Sequence, residues 1–196
     1  MLARIDLIQK YRHDVEPFER VLGKHTHQTH CIVGARAYDI HAEKRLPLSL
    51  LINILGGPSA NSRLNVVLRE KNGLSYNTEA TYTPYNDSGM VAIYFSSDHH
   101  NADHCRELID AELRSLRSTP LTARRLAMIK RQFLAQMAIS MENNEGYMLG
   151  AGKSYLVHDE IDTLEEVYRK VTAVKAEQIM EVAEEIFAKT STLIYQ

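Results

Sequence analysis

Tryptophan is absent from this 196-residue sequence, and cysteine occurs only twice. Two cysteines are too few for the disulfide framework of a small secreted domain, and a chain of this length can bury a substantial core instead. Cys31 and Cys105 both lie in segments with apolar periodicity, as buried reduced thiols commonly do. This usage suits a reducing compartment. We expect the cytoplasm, with the periplasm and the mitochondrion as alternatives.

A long apolar run and an excess of charge of one sign are also missing. The apolar segments are too short to span a membrane, and the N-terminus lacks the apolar region of a signal peptide. The formal net charge of −2 gives no basic field for nucleic acid or an anionic membrane, and we expect neither partner. Charge runs at 117–131 (basic) and 159–185 (acidic) are typical of solvated helix faces, with a protein-docking surface as the alternative.

The remaining composition is that of an ordinary globular protein, with 44% hydrophobic and 24% charged residues. The length fits one domain or at most two small ones. Residues 1–24 are predicted to be a linker or N-terminal extension, in which a short amphipathic helix precedes a connector around Pro17 and Gly23. Residues 25–196 are predicted to form a single domain.

Residue periodicity predicts the order β–α–α–β–β–α–α–α–α–β within that domain. Alternating residues around Cys31 indicate the first strand, and Gly56 with Gly57 ends the first helix. A second helix stops at Asn72-Gly73, and the turn at residues 86–89 joins two further strands as a hairpin. Because strands and helices do not strictly alternate, we predict an α+β fold, an antiparallel sheet with helices packed on one face.

Nine histidines suggest a metal site, but no complete ligand set emerges from the sequence. His25, His27 and His30 fall on the predicted entry strand, where polar surface is the simpler interpretation. His100-x-x-Asp103-His104 resembles an inverted zinc motif, with a shorter carboxylate where glutamate is expected and no identifiable third ligand. A polar helix start is the alternative, and a free-standing metal-binding module is a third, weaker hypothesis for the whole chain.

Other catalytic motifs are equally incomplete. The chain has no G-x-S-x-G nucleophile motif, and Gly56-Gly57-Pro58 lacks the pattern of a phosphate-binding loop. In the stretch LREKNGLSYN, Arg69 and Tyr76 stand at a predicted helix–strand junction. A guanidinium and a phenol placed there would bind a peptide carbonyl or stabilise an oxyanion. A surface ion pair for Arg69 and a half-buried strand position for Tyr76 are the alternatives.

The order of several short motifs resembles the second half of the insulinase/pitrilysin-like zinc peptidases. That pattern reads roughly LGG, SRL, (L/I)RE and GL-x-Y. It is matched here at 55–57, 62–64, 68–70 and 73–76, with further matches at 28–30 and 87–89. The resemblance extends from about His25 to Tyr195.

In this family two homologous α+β halves close around a chamber. The resemblance implies that a homologous partner half carries zinc and the general base on H-x-x-E-H. It also implies that Arg69 and Tyr76 face that zinc, and we assign them, with Asn77, to binding the peptide substrate. The corresponding segment here, IHAEKRLPLSLL, contains no such motif. We therefore expect no zinc in this chain and no activity of the isolated domain, which would be the substrate-binding half of a zinc metalloendopeptidase.

Two further expectations follow from the resemblance. The opening residues resemble a linker between halves, so Met1 is expected to begin a fragment of a longer protein. The alternative function is that of a structural or scaffold subunit derived from an inactive peptidase homologue; retention of both Arg69 and Tyr76 argues against it.

Overall fold

The computed structural model describes residues 16–196 of the protein. Its strands are β1 (Glu19–Leu22), β2 (Thr29–Ala37), β3 (Ser75–Pro84), β4 (Gly89–Ser97) and β5 (Ser191–Tyr195). Its α-helices are α1 (Arg45–Gly56), α2 (Ala102–Ser118), α3 (Ala123–Met141), α4 (Asn144–His158), α5 (Leu164–Ala173) and α6 (Ala176–Ile186). A π-helix spans Asn65–Glu70, and a short 3-10 turn spans His99–Asn101.

The strands form one sheet in the order β1–β5–β2–β4–β3. β1 runs parallel to β5, and the other neighbouring strands are antiparallel. Along β2, Cys31, Val33 and Ala35 are buried, whereas Ile32 and Arg36 are exposed. This alternation puts one face of the sheet against the helices and leaves the other face open. The predicted α+β class, with helices packed on one sheet face, is confirmed.

The core lies between this sheet face and the helices α1, α2 and α6. Phe95 of β4 and Leu51 of α1 are fully buried, as are Ile109 of α2 and Ala183 of α6. Cys31 and Cys105 are both buried and unpaired, as predicted. Burial raises the pKa of the Cys31 thiol to about 12, so this thiol stays protonated and inert at neutral pH.

The prediction was wrong in two elements. Part of the segment predicted as a connector, Glu19–Leu22, is strand β1, which pairs with β5. Helix α4 was not predicted, because its apolar residues form no buried stripe and three glycines interrupt it. Asn143 caps that helix by accepting a hydrogen bond from the Gly146 amide at 3.3 Å.

The predicted N-terminal helix lies largely outside the described residues. The division of the chain at residue 25 stays a prediction, although the sheet includes residues from 19 onward.

Candidate substrate-binding site

Arg69 lies near the end of the π-helix Asn65–Glu70. The amide of Lys71 donates to the carbonyl of Val66 at 2.9 Å, five residues back, which is the hydrogen bond of a π-turn. Leu64 and Leu68 are fully buried and anchor this short helix to the core. Arg69 is exposed on its outer side. Single π-turns are frequent at functional sites, because the extra residue re-aims the side chains that follow it.

Gly73 reverses the chain directly after the π-helix. Its φ of 63° is left-handed, a conformation that glycine adopts at little cost. The Gly73 amide donates to the carbonyl of Arg69 at 3.0 Å, and the Leu74 amide donates to that of Leu68 at 2.8 Å. The first of these bonds, four residues back from a left-handed glycine, is that of the αL motif that commonly ends helices. The motif ties the backbone of Arg69 to the start of β3, so the position of Arg69 relative to Tyr76 is set by backbone hydrogen bonds.

Tyr76 is the extra residue of a β-bulge at the start of β3. Ser75 pairs with Ser97 and Asn77 with Ser96, so two steps on β3 match one step on β4. The buried Ser75 hydroxyl donates to the carbonyl of Ser96 at 2.8 Å. Tyr76 is 71% exposed, which differs from the half-buried strand position considered as an alternative. Bulges commonly re-aim a side chain out of the regular ladder, and this one turns the phenol of Tyr76 toward solvent.

Arg69 and Asn77 line the same groove, which has a volume of about 590 Å³. One wall is β3, and the other is formed by the end of α1 with the loop after it and by the π-helix. A Cβ on Gly56 would lie 2.6 Å from the amide nitrogen of Ala80. Glycine at this position therefore lets the end of α1 approach the strand, which is a physical reason for the first glycine of the LGG motif.

The guanidinium of Arg69 forms no ion pair with a carboxylate among residues 16–196. The surface ion pair considered as an alternative is therefore not what this part of the chain shows. The structure brings Arg69 and Asn77 to one groove, and it places Tyr76 in the adjoining bulge, next in sequence to Asn77. All three side chains are exposed. Arg69 and Asn77 thus offer a cationic donor and an amide to a ligand in the groove, and Tyr76 exposes a phenol in the adjoining bulge.

Several histidine side chains lie within hydrogen-bonding distance of polar side chains of the protein. His30 Nδ1 lies 2.8 Å from the Tyr94 hydroxyl, and His99 Nδ1 lies 2.8 Å from that of Thr29. His104 lies 3.4 Å from Glu107 in the same helix. Within the described range, residues 16–196, no group of three or more histidine, cysteine or acidic side chains is placed to hold a metal ion.

The segment IHAEKRLPLSLL, which corresponds in position to the zinc motif of the partner half, leads into α1. There His41 Nε2 lies 3.1 Å from the side-chain oxygen of Asn86, and its ring meets that of His158 edge-on at 5.5 Å. These contacts give His41 an amide and a second imidazole as neighbours.

The family model described as "Peptidase M16 inactive domain" matches residues 6–133, which is well over half of the chain. The chain belongs to this family. An uncharacterized zinc protease of Bacillus subtilis, YmxG, is 30% identical over 170 residues. That match covers 87% of this chain and 41% of the relative. An uncharacterized zinc protease of Rickettsia bellii is 28% identical over 179 residues, with the same coverage. The M16 inactive domain thus spans about two fifths of the curated relatives that it matches.

Solved structures show the same fold at low sequence identity. A protease from Helicobacter pylori superposes with a TM-score of 0.81 at 20% identity, covering 91% of this chain and 43% of that one. A peptidase M16 inactive domain from Pseudomonas fluorescens gives 0.79 at 22% identity, covering 93% and 44%. These comparisons confirm the insulinase/pitrilysin-like resemblance and the half-domain fold. No helix among residues 16–196 is long and apolar enough to cross a bilayer.

Proposed function

We propose that this M16 inactive domain is the substrate-binding half of a two-half zinc peptidase. In this proposal Arg69 and Tyr76 hold the peptide carbonyl and the oxyanion that develops from it. The observation that carries the proposal is a pair of backbone features at one edge of the sheet, the chain reversal at Gly73 and the β-bulge at Tyr76. The αL motif at Gly73 holds Arg69, which has no ion pair among residues 16–196, at the groove, and the β-bulge exposes Tyr76 next to Asn77, which lines that groove.

The zinc belongs to the partner half in this proposal. The described residues do not fit a zinc ion, because they offer no cluster of three ligands and the first helix lacks H-x-x-E-H. Zinc on the partner half would activate the attacking water. This chain's own contribution is to bind and orient the peptide and to stabilise negative charge.

Arg69 and Tyr76 differ in what they supply. The guanidinium carries a permanent positive charge and a fork of donors, so its attraction grows as charge develops on the carbonyl oxygen. The phenol donates one directed hydrogen bond. Asn77, on the same groove, donates or accepts through its amide and is assigned to holding the peptide backbone rather than the reacting oxygen.

Replacement of Tyr76 by phenylalanine tests this function in the assembled two-half peptidase. Loss of one oxyanion donor typically costs about 10²–10³ in rate, so kcat is expected to fall by that order. Tyr85→Phe removes the same hydroxyl from another exposed tyrosine, just after the far end of β3, and should leave kcat unchanged. Equal turnover of wild type and Tyr76→Phe would remove Tyr76 from the mechanism and favour the scaffold alternative.

A further inference from the structure

Helix α4 is attached to the rest of the domain by few contacts. None of its fifteen residues is buried, and it packs mainly against α3. Among residues 16–196, one side-chain hydrogen bond joins α4 to another helix or strand. It links Nη1 of Arg45, on α1, to Nε2 of His158, the last residue of α4, at 3.3 Å. The position of the C-terminal end of α4 therefore depends largely on this pair.

The direction of this hydrogen bond fixes the protonation state of His158. A guanidinium has donors only, so Arg45 donates and Nε2 of His158 accepts. A neutral imidazole that accepts at Nε2 carries its proton on Nδ1, whereas a protonated imidazole has a donor at both nitrogens and no acceptor. The bond therefore exists only while His158 is neutral. Arg45 forms no ion pair with a carboxylate within residues 16–196 that could replace it.

The titratable and charged groups that face His158 come from α1, α5 and the two loops beside them. They are Arg45 on α1, His41 in the loop before α1, Asp162 in the connection after α4, and Lys170 on α5. Asp162 is the one acid among them, and Lys170 already pairs with it at 2.6 Å. Partial burial, Arg45, His41 and Lys170 lower the pKa of His158, and Asp162 acts in the opposite direction. These surroundings favour the neutral form, in which the bond to Arg45 exists.

We propose that Arg45 and His158 form an acid-opened latch, in which neutral His158 holds the end of α4 on α1 and a proton on His158 releases it. A protonated His158 would lose its acceptor and place a second positive charge beside Arg45. The hydrophobic core contains no residue of α4 among its members in the described chain. Acid therefore repositions one helix while the sheet and the helices packed on it stay folded.

The direction of the pH dependence follows from the lowered pKa of His158. Because the latched state binds a proton less readily than the released state, the latch is strongest above the ordinary histidine pKa of about 6.5 and weakens as the pH falls below it. A released imidazole with that ordinary pKa raises the opening equilibrium by up to about tenfold between about pH 7.5 and about pH 5.5. The full tenfold is reached where the latched form binds no proton.

Hydrogen exchange of the intact 196-residue chain, read by mass spectrometry, measures this opening and needs no peptidase assay. After correction for the intrinsic exchange rate, protection of the amides in the last turns of α4 should fall severalfold, up to about tenfold, over that pH range. Protection in α6, whose apolar residues belong to the core, should stay constant.

Three variants separate the latch from general acid effects. His158→Gln keeps a side-chain acceptor for Arg45 but takes up no proton, so α4 should stay protected at both pH values. His158→Ala removes the acceptor and should lower protection of α4 equally at both. The matched control, His100→Gln, removes a titratable imidazole from an exposed position in the 3-10 turn and should keep the wild-type pH dependence.

The tautomer of His158 gives a second readout that needs no variant. Nitrogen NMR of the wild-type imidazole should show an unprotonated Nε2 and a proton on Nδ1 at neutral pH, because Arg45 donates to Nε2. A proton on Nε2 at neutral pH would overturn the inference whether or not the variants fold. So would protection of α4 that does not change with pH in wild type, or that falls equally in wild type and His158→Gln.

Discussion

Arg69 and Tyr76 are held by different kinds of local structure, and this difference predicts how substitutions act. Arg69 extends from a π-helix whose buried leucines fix it to the core, so a change at its tip should leave the backbone in place. Tyr76 is exposed in a bulge and has few contacts to lose. At the residue scale, substitutions at both positions should therefore change kinetics more than stability.

Replacement of Arg69 separates charge from geometry. Arg69→Gln removes the positive charge and should lower kcat/KM by about 10², the lower end for an oxyanion donor. Arg69→Lys keeps the charge without the planar fork and should retain more of the activity. Steady-state kinetics of the assembled peptidase measures both. Arg114→Gln, at an exposed position on α2, is the matched control and should behave as wild type. Equal losses in the lysine and glutamine variants would show that charge is not what Arg69 supplies.

The candidate site residues could be selected from the sequence, but the backbone structure that carries them could not be predicted from it. The motifs around Arg69 and Tyr76 are contiguous in sequence, so one stretch was enough to select both. The bulge depends on Ser75 bonding to Ser96, a residue on the next strand, and a single sequence gives no sign of that register. The π-turn was likewise predicted only as a helix, because its buried leucines at 64 and 68 fit ordinary helical spacing.

At the scale of elements, the junction between the π-helix and β3 depends on Gly73. Gly73→Ala places a side chain on a backbone with φ of 63°, which is expected to cost about 1 kcal/mol of unfolding free energy. The added Cβ meets no heavy atom within 4 Å, so the cost is one of backbone conformation. Urea unfolding measures it.

Gly23→Ala is the control for that prediction. Gly23 is equally uncrowded and has no left-handed φ, so its substitution should be close to neutral. A neutral Gly73→Ala would show that the chain reversal tolerates alanine and that the αL motif does not depend on glycine.

The elements that the sequence did not predict share a physical property. β1 is exposed at all four residues and pairs in parallel with β5, more than 170 positions away, so its strand identity comes from its partner. α4 buries none of its fifteen residues, so it has no apolar stripe to detect. The elements that were predicted, such as α1, α2 and the β3–β4 hairpin, each carry a buried face or a turn signal of their own.

At the scale of the whole molecule, the decisive fact is that this domain spans only about two fifths of the relatives that it matches. YmxG and the Rickettsia bellii protein, both called zinc proteases, extend well beyond the matched region. In the proposed function, a substrate-binding half without a zinc motif takes part in catalysis only together with such an additional part. The proposed division of function between the two halves therefore makes peptidase activity a property of the assembled halves.

That division predicts a complementation result. The chain by itself should bind less than one equivalent of zinc in equilibrium dialysis and should not cleave a quenched peptide. Addition of the zinc-bearing half, on the same polypeptide or as a separate subunit, should restore zinc-dependent cleavage. The Tyr76→Phe chain, added in the same way, should restore it about 10²–10³-fold less well because one oxyanion donor is missing. Stoichiometric zinc and hydrolysis in the isolated chain would place the catalytic centre within it, and the histidines would then be the ligands to examine.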